Sequence, residues 1–172
     1  MEAKCSIVAG RKLELGDTGA AVARNVSRLR KAIGLNYTDL STRLANIGRD
    51  IPPLAVRRIE EGNRRVDVDD LVALAIALGV SPATLLMPAH EAADSPVSVT
   101  GAESLVTARS AWYWLAGQDP IPPMVTPDWT VAKFRAYAWP EFVQVDYDRG
   151  RDREMDLELR AQGFRFPDGD DQ

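Results

Sequence analysis

The chain has 172 residues, 45% of them hydrophobic and 27% charged, which leaves room for one globular domain and a smaller appended one. A single cysteine, Cys5, and a single histidine, His90, exclude an internal disulfide and a Cys- or His-built metal centre, and the apolar runs are too short or too interrupted to cross a bilayer. The net charge of −4 conceals a division: residues 18–66 hold 10 Arg and Lys against 4 Asp and Glu, while residues 89–172 hold 8 against 15, so the first segment suits phosphates and the second is expected to avoid them.

Residues 1–17 read as an N-terminal arm or a small hairpin, with Cys5-Ser-Ile-Val-Ala9 and Lys12-Leu-Glu-Leu15 on either side of Gly10-Arg11. Val22, Val26, Leu29 and Ile33 then recur at helical spacing, with Thr18 as the expected N-cap and Gly34 as the stop. Asn36 caps a second helix, in which Asp39 favours the positive end of the helix dipole and Leu40 and Leu44 face inward. Pro52 and Pro53 suit the first turn of a third helix, where a missing N–H costs nothing. That helix runs over residues 54–61 and stops at Gly62. Asp67 caps a fourth, with Leu71, Leu74, Ala75 and Leu78 as its stripe and Gly79 as its end. Ser81-Pro82 opens a fifth, with Leu85 and Leu86 buried. These helices make a domain over residues 18–88.

Residues 89–98, rich in small polar residues, read as a linker. Residues 99–166 read as a small, mostly helical C-terminal module, and residues 167–172 as a frayed tail. Residues 97–101 suit a short strand. Residues 103–115 read as a helix with Leu105, Ala108, Trp112 and Leu115 on one face. The Asp119-Pro-Ile-Pro-Pro123 segment breaks the chain, Thr126 caps a helix that ends near Ala138, and residues 151–162 form a last charged helix. All four Trp (Trp112, Trp114, Trp129, Trp139) and all four Phe (Phe134, Phe142, Phe164, Phe166) fall in this half. They supply either the core of the module or a self-association surface.

Five short helices in this order outline a helix-turn-helix domain. Arg30-Lys-Ala-Ile-Gly-Leu-Asn-Tyr-Thr-Asp-Leu40, Arg58-Ile-Glu-Glu-Gly62 and Leu71-Val-Ala-Leu-Ala-Ile-Ala-Leu-Gly-Val-Ser-Pro82 resemble corresponding stretches of the Cro/cI-like (Xre-type) repressors, over residues 20–87. The resemblance implies a mainly α chain with a lambda-repressor-like five-helix domain. It implies a sequence-specific transcriptional regulator, a repressor, that reads double-stranded DNA with the helix at residues 52–61. Phage or prophage immunity is one role of such proteins, and the expected location is the cytoplasm of a bacterium or of a phage-infected bacterium. One departure stands out: residues 45–51 make the second-to-third connection about five residues longer than the common turn. The second helix then runs a turn further, through Ile47 to Gly48, and Arg49 shifts relative to DNA.

Val56 and Ile59, three apart, share the core side of the third helix. Pro53, Leu54, Ala55, Arg57 and Arg58 are therefore the expected base-reading residues. Arg58 is suited to a bidentate pair with guanine, and Pro53, Leu54 and Ala55 to apolar contact with a thymine methyl. Asn36, Tyr37, Arg49, Asn63, Arg64 and Arg65 are the expected phosphate ligands. By the resemblance, Arg30 and Glu60 pair with each other and tie the first helix to the third. His90 and Cys5 carry no expected role, and no metal, cofactor or catalytic residue is expected. Self-cleavage would need Ser95 or Ser98 with Lys133 and Ala116-Gly117 as the cut, an order reversed from that of self-cleaving phage repressors, so the chain is not expected to be an enzyme. The expected partners are an operator duplex and a second copy of the chain, with a protein partner for the C-terminal module. Two other readings share this pattern: the antitoxin of a toxin–antitoxin pair, and a protein-interaction adaptor on the same scaffold.

Overall fold

The computed structural model describes residues 14–122, 126 and 129–161. Cys5, most of the N-terminal arm and the tail with Phe164 and Phe166 lie outside them. The chain is mainly α. Its elements are α1 (Asp17–Ala32), α2 (Tyr37–Asn46), α3 (Pro53–Glu60), α4 (Val68–Leu78), α5 (Pro82–Leu86), β1 (Pro96–Val97), β2 (Val106–Thr107), α6 (Ala108–Leu115), α7 (Val131–Ala138) and α8 (Glu141–Ala161).

Helices α1 to α5 enclose one aliphatic core. Val26, Leu40, Leu44, Val56, Ile59, Leu74 and Leu85 are fully buried in it, and Ile51 enters it from the α2–α3 connection. The local signals act as read. Asn36 and Asp39 close a reciprocal capping box at α2, Pro53 opens α3, and the Asp67 and Ser81 side chains accept the Asp70 and Thr84 N–H groups at α4 and α5. Thr18 is not a cap. Gly16 is the N-cap of α1, and Thr18 exchanges two hydrogen bonds with Thr100, one through its N–H and one through its hydroxyl. It holds α1 to the C-terminal module instead.

A second, smaller core follows. β1 and β2 pair antiparallel, with Pro96 opposite Thr107 and Val97 opposite Val106. Met87, Val97, Val99, Val106, Ala108, Ala111 and Ile121 pack together, with Trp114 and Leu115 partly buried against them. The expected linker is therefore largely built in: it supplies β1, and the Ala93 and Ser95 carbonyls accept the Arg109 and Ala108 N–H groups. The helix expected from residue 103 begins only at Ala108, because Thr107 caps it. Leu105 is consequently exposed, and Ala108 and Ala111 rather than Leu105 and Trp112 make its buried face. Likewise α7 starts at Val131, capped by Thr130 and not by Thr126.

Helix α8 begins at Glu141, ten residues before the expected start at 151, and runs for 21 residues. The Pro140 carbonyl accepts the Val143 and Gln144 N–H groups of its first turn. Arg135 of α7 joins these parts. It donates to the Gln118 carbonyl, Asp119 and the Tyr147 hydroxyl, and its guanidinium lies 5.0 Å from the Trp139 ring centre. Among the described residues no helix is long and apolar enough to cross a membrane, and no cluster of His, Cys, Asp and Glu could hold a metal.

Candidate nucleic-acid interface

The α2–α3 connection sets where the third helix stands. α2 ends in a Schellman arrangement: the Gly48 N–H donates to the Ala45 carbonyl and the Arg49 N–H to the Leu44 carbonyl, both at 2.9 Å. Gly48 sits at φ 82°, a left-handed conformation that costs a side-chain-bearing residue roughly 1–2 kcal/mol. The helix thus ends at Asn46, with Ile47 as its C-cap, and does not run on through Gly48 as expected. The extra residues return to the core through Ile51, whose carbonyl accepts the buried Ser41 hydroxyl at 2.7 Å. The connection is long but fixed at both ends.

Helix α3 turns Val56 and Ile59 fully inward. Leu54 is 57% exposed, and Arg57 and Arg58 are exposed beyond it, while Pro53 and Ala55 are half-buried. Leu54 and Arg58, one turn apart, project together. The guanidinium of Arg57 is engaged by Glu61 at 2.7 Å, which raises the Arg57 pKa and holds the Glu61 carboxyl below its ordinary value. Arg58 makes no side-chain hydrogen bond or ion pair among the described residues.

Arg30 and Glu60 anchor this helix from behind. Nε and Nη2 of Arg30 donate to the two Glu60 carboxylate oxygens at 2.6 and 2.8 Å, and Nη1 donates to the Leu35 carbonyl at 2.7 Å. Both side chains are almost wholly buried, and the Glu60 hydrogen bond raises the Arg30 pKa. The Arg30 guanidinium lies 4.2 Å from the Tyr37 ring centre. A single arginine therefore positions α3, the end of α1 and the first residue of α2.

The expected phosphate ligands separate into two groups. Asn36, Asn63 and Arg65 are exposed, and Tyr37 is half-buried beside Arg30. The Asn36 side-chain amide oxygen accepts the Asp39 N–H, and the Asn63 amide reaches Glu61 at 3.3 Å. Arg65 makes no side-chain hydrogen bond or ion pair among the described residues. Arg49 and Arg64, by contrast, converge on Asp70. Arg49 donates to one Asp70 oxygen at 2.7 Å and to Asp67 at 3.1 Å, and Arg64 donates to the other Asp70 oxygen at 2.8 Å. These hydrogen bonds raise the Arg49 pKa, Asp70 first among the causes.

Asp70 is 1% exposed, and sequence reasoning overlooked it. The signal was present: Asp70 stands one turn before Leu74 and two before Leu78 on the buried stripe of α4, where an acid needs partners. Asn25 was also overlooked. Its buried amide donates to the Leu85 and Met87 carbonyls at 2.9 and 2.7 Å and more weakly to that of Thr84, locking α1 to the end of α5. Ser95 and Ser98 have structural partners: the Ser95 oxygen accepts the Ala92 N–H, and the Ser98 hydroxyl donates to Asp17.

The surface can therefore present from the middle helix one apolar side chain, Leu54, and the Arg58 guanidinium, which no hydrogen bond or ion pair holds among the described residues. It is flanked by Arg65 and by the α2 N-terminus, where the capping box takes the Asn36 and Asp39 N–H groups and leaves those of Tyr37 and Thr38 outside it. A helix-turn-helix family model matches residues 26–85. Comparison with curated proteins and with solved structures gives no match.

Proposed function

We propose, from a chain whose residues 26–85 belong to the helix-turn-helix family of DNA-binding regulators, that it is a sequence-specific repressor reading the major groove with α3. The observation that carries this reading is Arg58, exposed and without an ion pair among the described residues, on the outer face of a helix whose inner face is pinned by Val56, Ile59 and the Arg30–Glu60 pair. An arginine so placed donates a bidentate pair to guanine O6 and N7, worth about 1–3 kcal/mol of discrimination. Leu54 and Pro53 offer apolar contact to a neighbouring thymine methyl. Arg57 joins the readout when a base or phosphate displaces Glu61.

Asn36, Tyr37, Asn63 and Arg65 take the backbone. N–H groups at the start of α2 and the Arg65 charge fix register without reading sequence. Arg49 and Arg64 act one layer behind: bound to Asp70, they hold the α2–α3 connection and the start of α4 in place.

One such module discriminates weakly, because specific complexes usually bury about 1,000–2,500 Å² of protein surface. Two copies on half-sites about 34–36 Å apart double the contacts. The C-terminal module is acidic and leaves Tyr137 and Phe142 largely exposed, which suits it to hold two copies together and not to touch phosphates. The test is a reporter whose promoter overlaps the bound site. Repression by the wild type, lost in Arg58→Ala at equal protein level, is expected. Activation, or repression unaffected by Arg58→Ala, overturns the reading.

A further inference from the structure

A cleft of about 970 Å³ opens between α1 and α6, within the size range of small-molecule sites. Arg24 and Arg28, one turn apart, line one wall. Arg109, Trp112 and Tyr113 share a face of α6 and line the other. The floor is the segment at residues 87–93, where Met87, Ala92 and Ala93 are apolar and His90 and Glu91 polar. It is fixed to α1 by the Asn25 amide on the Met87 carbonyl at 2.7 Å and to α6 by the Arg109 N–H on the Ala93 carbonyl at 2.8 Å. The cleft is thus preformed, not a gap between loose parts.

Its chemistry is lopsided. Arg24 and Arg109 make no side-chain hydrogen bond or ion pair among the described residues, and Arg28 reaches only the Asn25 amide oxygen, at 3.3 and 3.4 Å. Three guanidinium groups face a single lining carboxylate, Glu91. Trp112 is 39% and Tyr113 36% exposed, so two rings stand against solvent beside the three arginines, of which Arg109 lies in the acidic half of the chain. Guanidinium forks match carboxylate and phosphate oxygens, and exposed rings match a flat apolar group.

We propose that this cleft binds a small organic anion: a carboxylate or phosphate carried on a planar apolar body. The arginines take the anion, and Trp112, Tyr113 and the alanine floor cover the body. Because the walls belong to the two separate hydrophobic cores, an occupant joins the DNA-binding helices to the C-terminal module, the position of an effector.

The test uses the full chain without DNA, so it is independent of the function proposed above. Titration calorimetry with 1-naphthyl phosphate is expected to give saturable one-to-one binding. It should also shift the indole N–H resonance that disappears in Trp112→Phe. The Arg28→Gln, Arg109→Gln double variant should bind at least about tenfold more weakly, the loss expected for charged hydrogen bonds. 1-Naphthol and inorganic phosphate, each lacking half of the recognised chemistry, should also bind at least tenfold more weakly. Glu91→Gln removes the opposing charge and should tighten binding about two- to fivefold, a readout that stands even where the arginine variants fold poorly. Absence of 1-naphthyl phosphate binding, equal binding by the double variant, or equal binding of either half-ligand overturns the proposal.

Discussion

Glu60 is where the fold of the reading helix can be perturbed without touching its outer face. Its carboxylate takes two charged hydrogen bonds from Arg30, at 2.6 and 2.8 Å, and both side chains are nearly sequestered from water. Glu60→Ala leaves the Arg30 guanidinium buried with the Leu35 carbonyl and the Tyr37 ring as its remaining neighbours. Removing one partner of a buried pair costs about 3–5 kcal/mol. Glu60→Gln keeps one acceptor and the side-chain volume, so about half of that loss is expected. In a chain of this size 1 kcal/mol moves the midpoint by about 2–4 °C, which puts Glu60→Ala about 6–20 °C below the wild type. Thermal unfolding followed by circular dichroism measures it. Replacing the pair together, Arg30→Met with Glu60→Leu, should recover much of the loss, because two apolar groups of similar volume leave no buried charge unpaired. A Glu60→Ala midpoint within 1 °C of the wild type would refute this reasoning. So would a double variant no more stable than the single, or a changed base preference at native stability, which would make Glu60 a reading residue.

Four further outcomes follow from the same geometry. Arg65→Ala should weaken specific and non-specific duplexes about equally and flatten the salt dependence by about 0.9 in log–log slope, with unchanged thermal stability. Arg64→Ala should instead lower the unfolding midpoint, because it removes one of two cations from the buried Asp70 carboxylate. Glu61→Gln releases Arg57 and removes a negative charge from the outer face, so non-specific affinity at low salt should rise. Because the Glu61 carboxyl is held below its ordinary pKa, its ion pair contributes above the ordinary glutamate range and is lost only as pH falls through the lowered value; the wild-type to Glu61→Gln difference in binding should therefore be constant from pH 6 to 8. A fragment of residues 1–90 should stay folded on the α1–α5 core and lose operator affinity with its half-site preference intact, measured by light scattering and binding titration.

The legible parts of the fold were those governed by local rules. The Asn36 capping box, the prolines opening α3 and the glycine stops at Gly34 and Gly79 each act through residues within one turn, so the sequence order alone reveals them. The hidden parts depend on partners far away in the chain. Thr18 looks like a cap and is held by Thr100, 82 residues on. Asp70 looks like an ordinary first-turn acid, and its ion pair with Arg49 spans 21 residues. Arg49 and Arg64, expected on phosphate from their places around the third helix, both bond to this carboxylate. Leu105 fits a helical stripe, but the two-residue strand ending at Thr107 interrupts it, and so short a strand leaves no periodicity to read. The first ten residues of α8 mix Val, Tyr, Asp and Gly, all poor or middling helix formers, so the helix was visible only where its Arg, Glu and Leu residues begin.

The central claim is that α3 reads base edges, with Arg58 as the principal reader. Selection of bound sites from random duplex DNA, run in parallel on the wild type and Arg58→Ala, tests it most directly. The account predicts an inverted repeat from the wild type with half-sites about one helical turn apart and a strongly preferred guanine in each. In Arg58→Ala the same repeat should remain with that guanine relaxed. A wild-type pool no different from the input, or a guanine preference unchanged in Arg58→Ala, would contradict it.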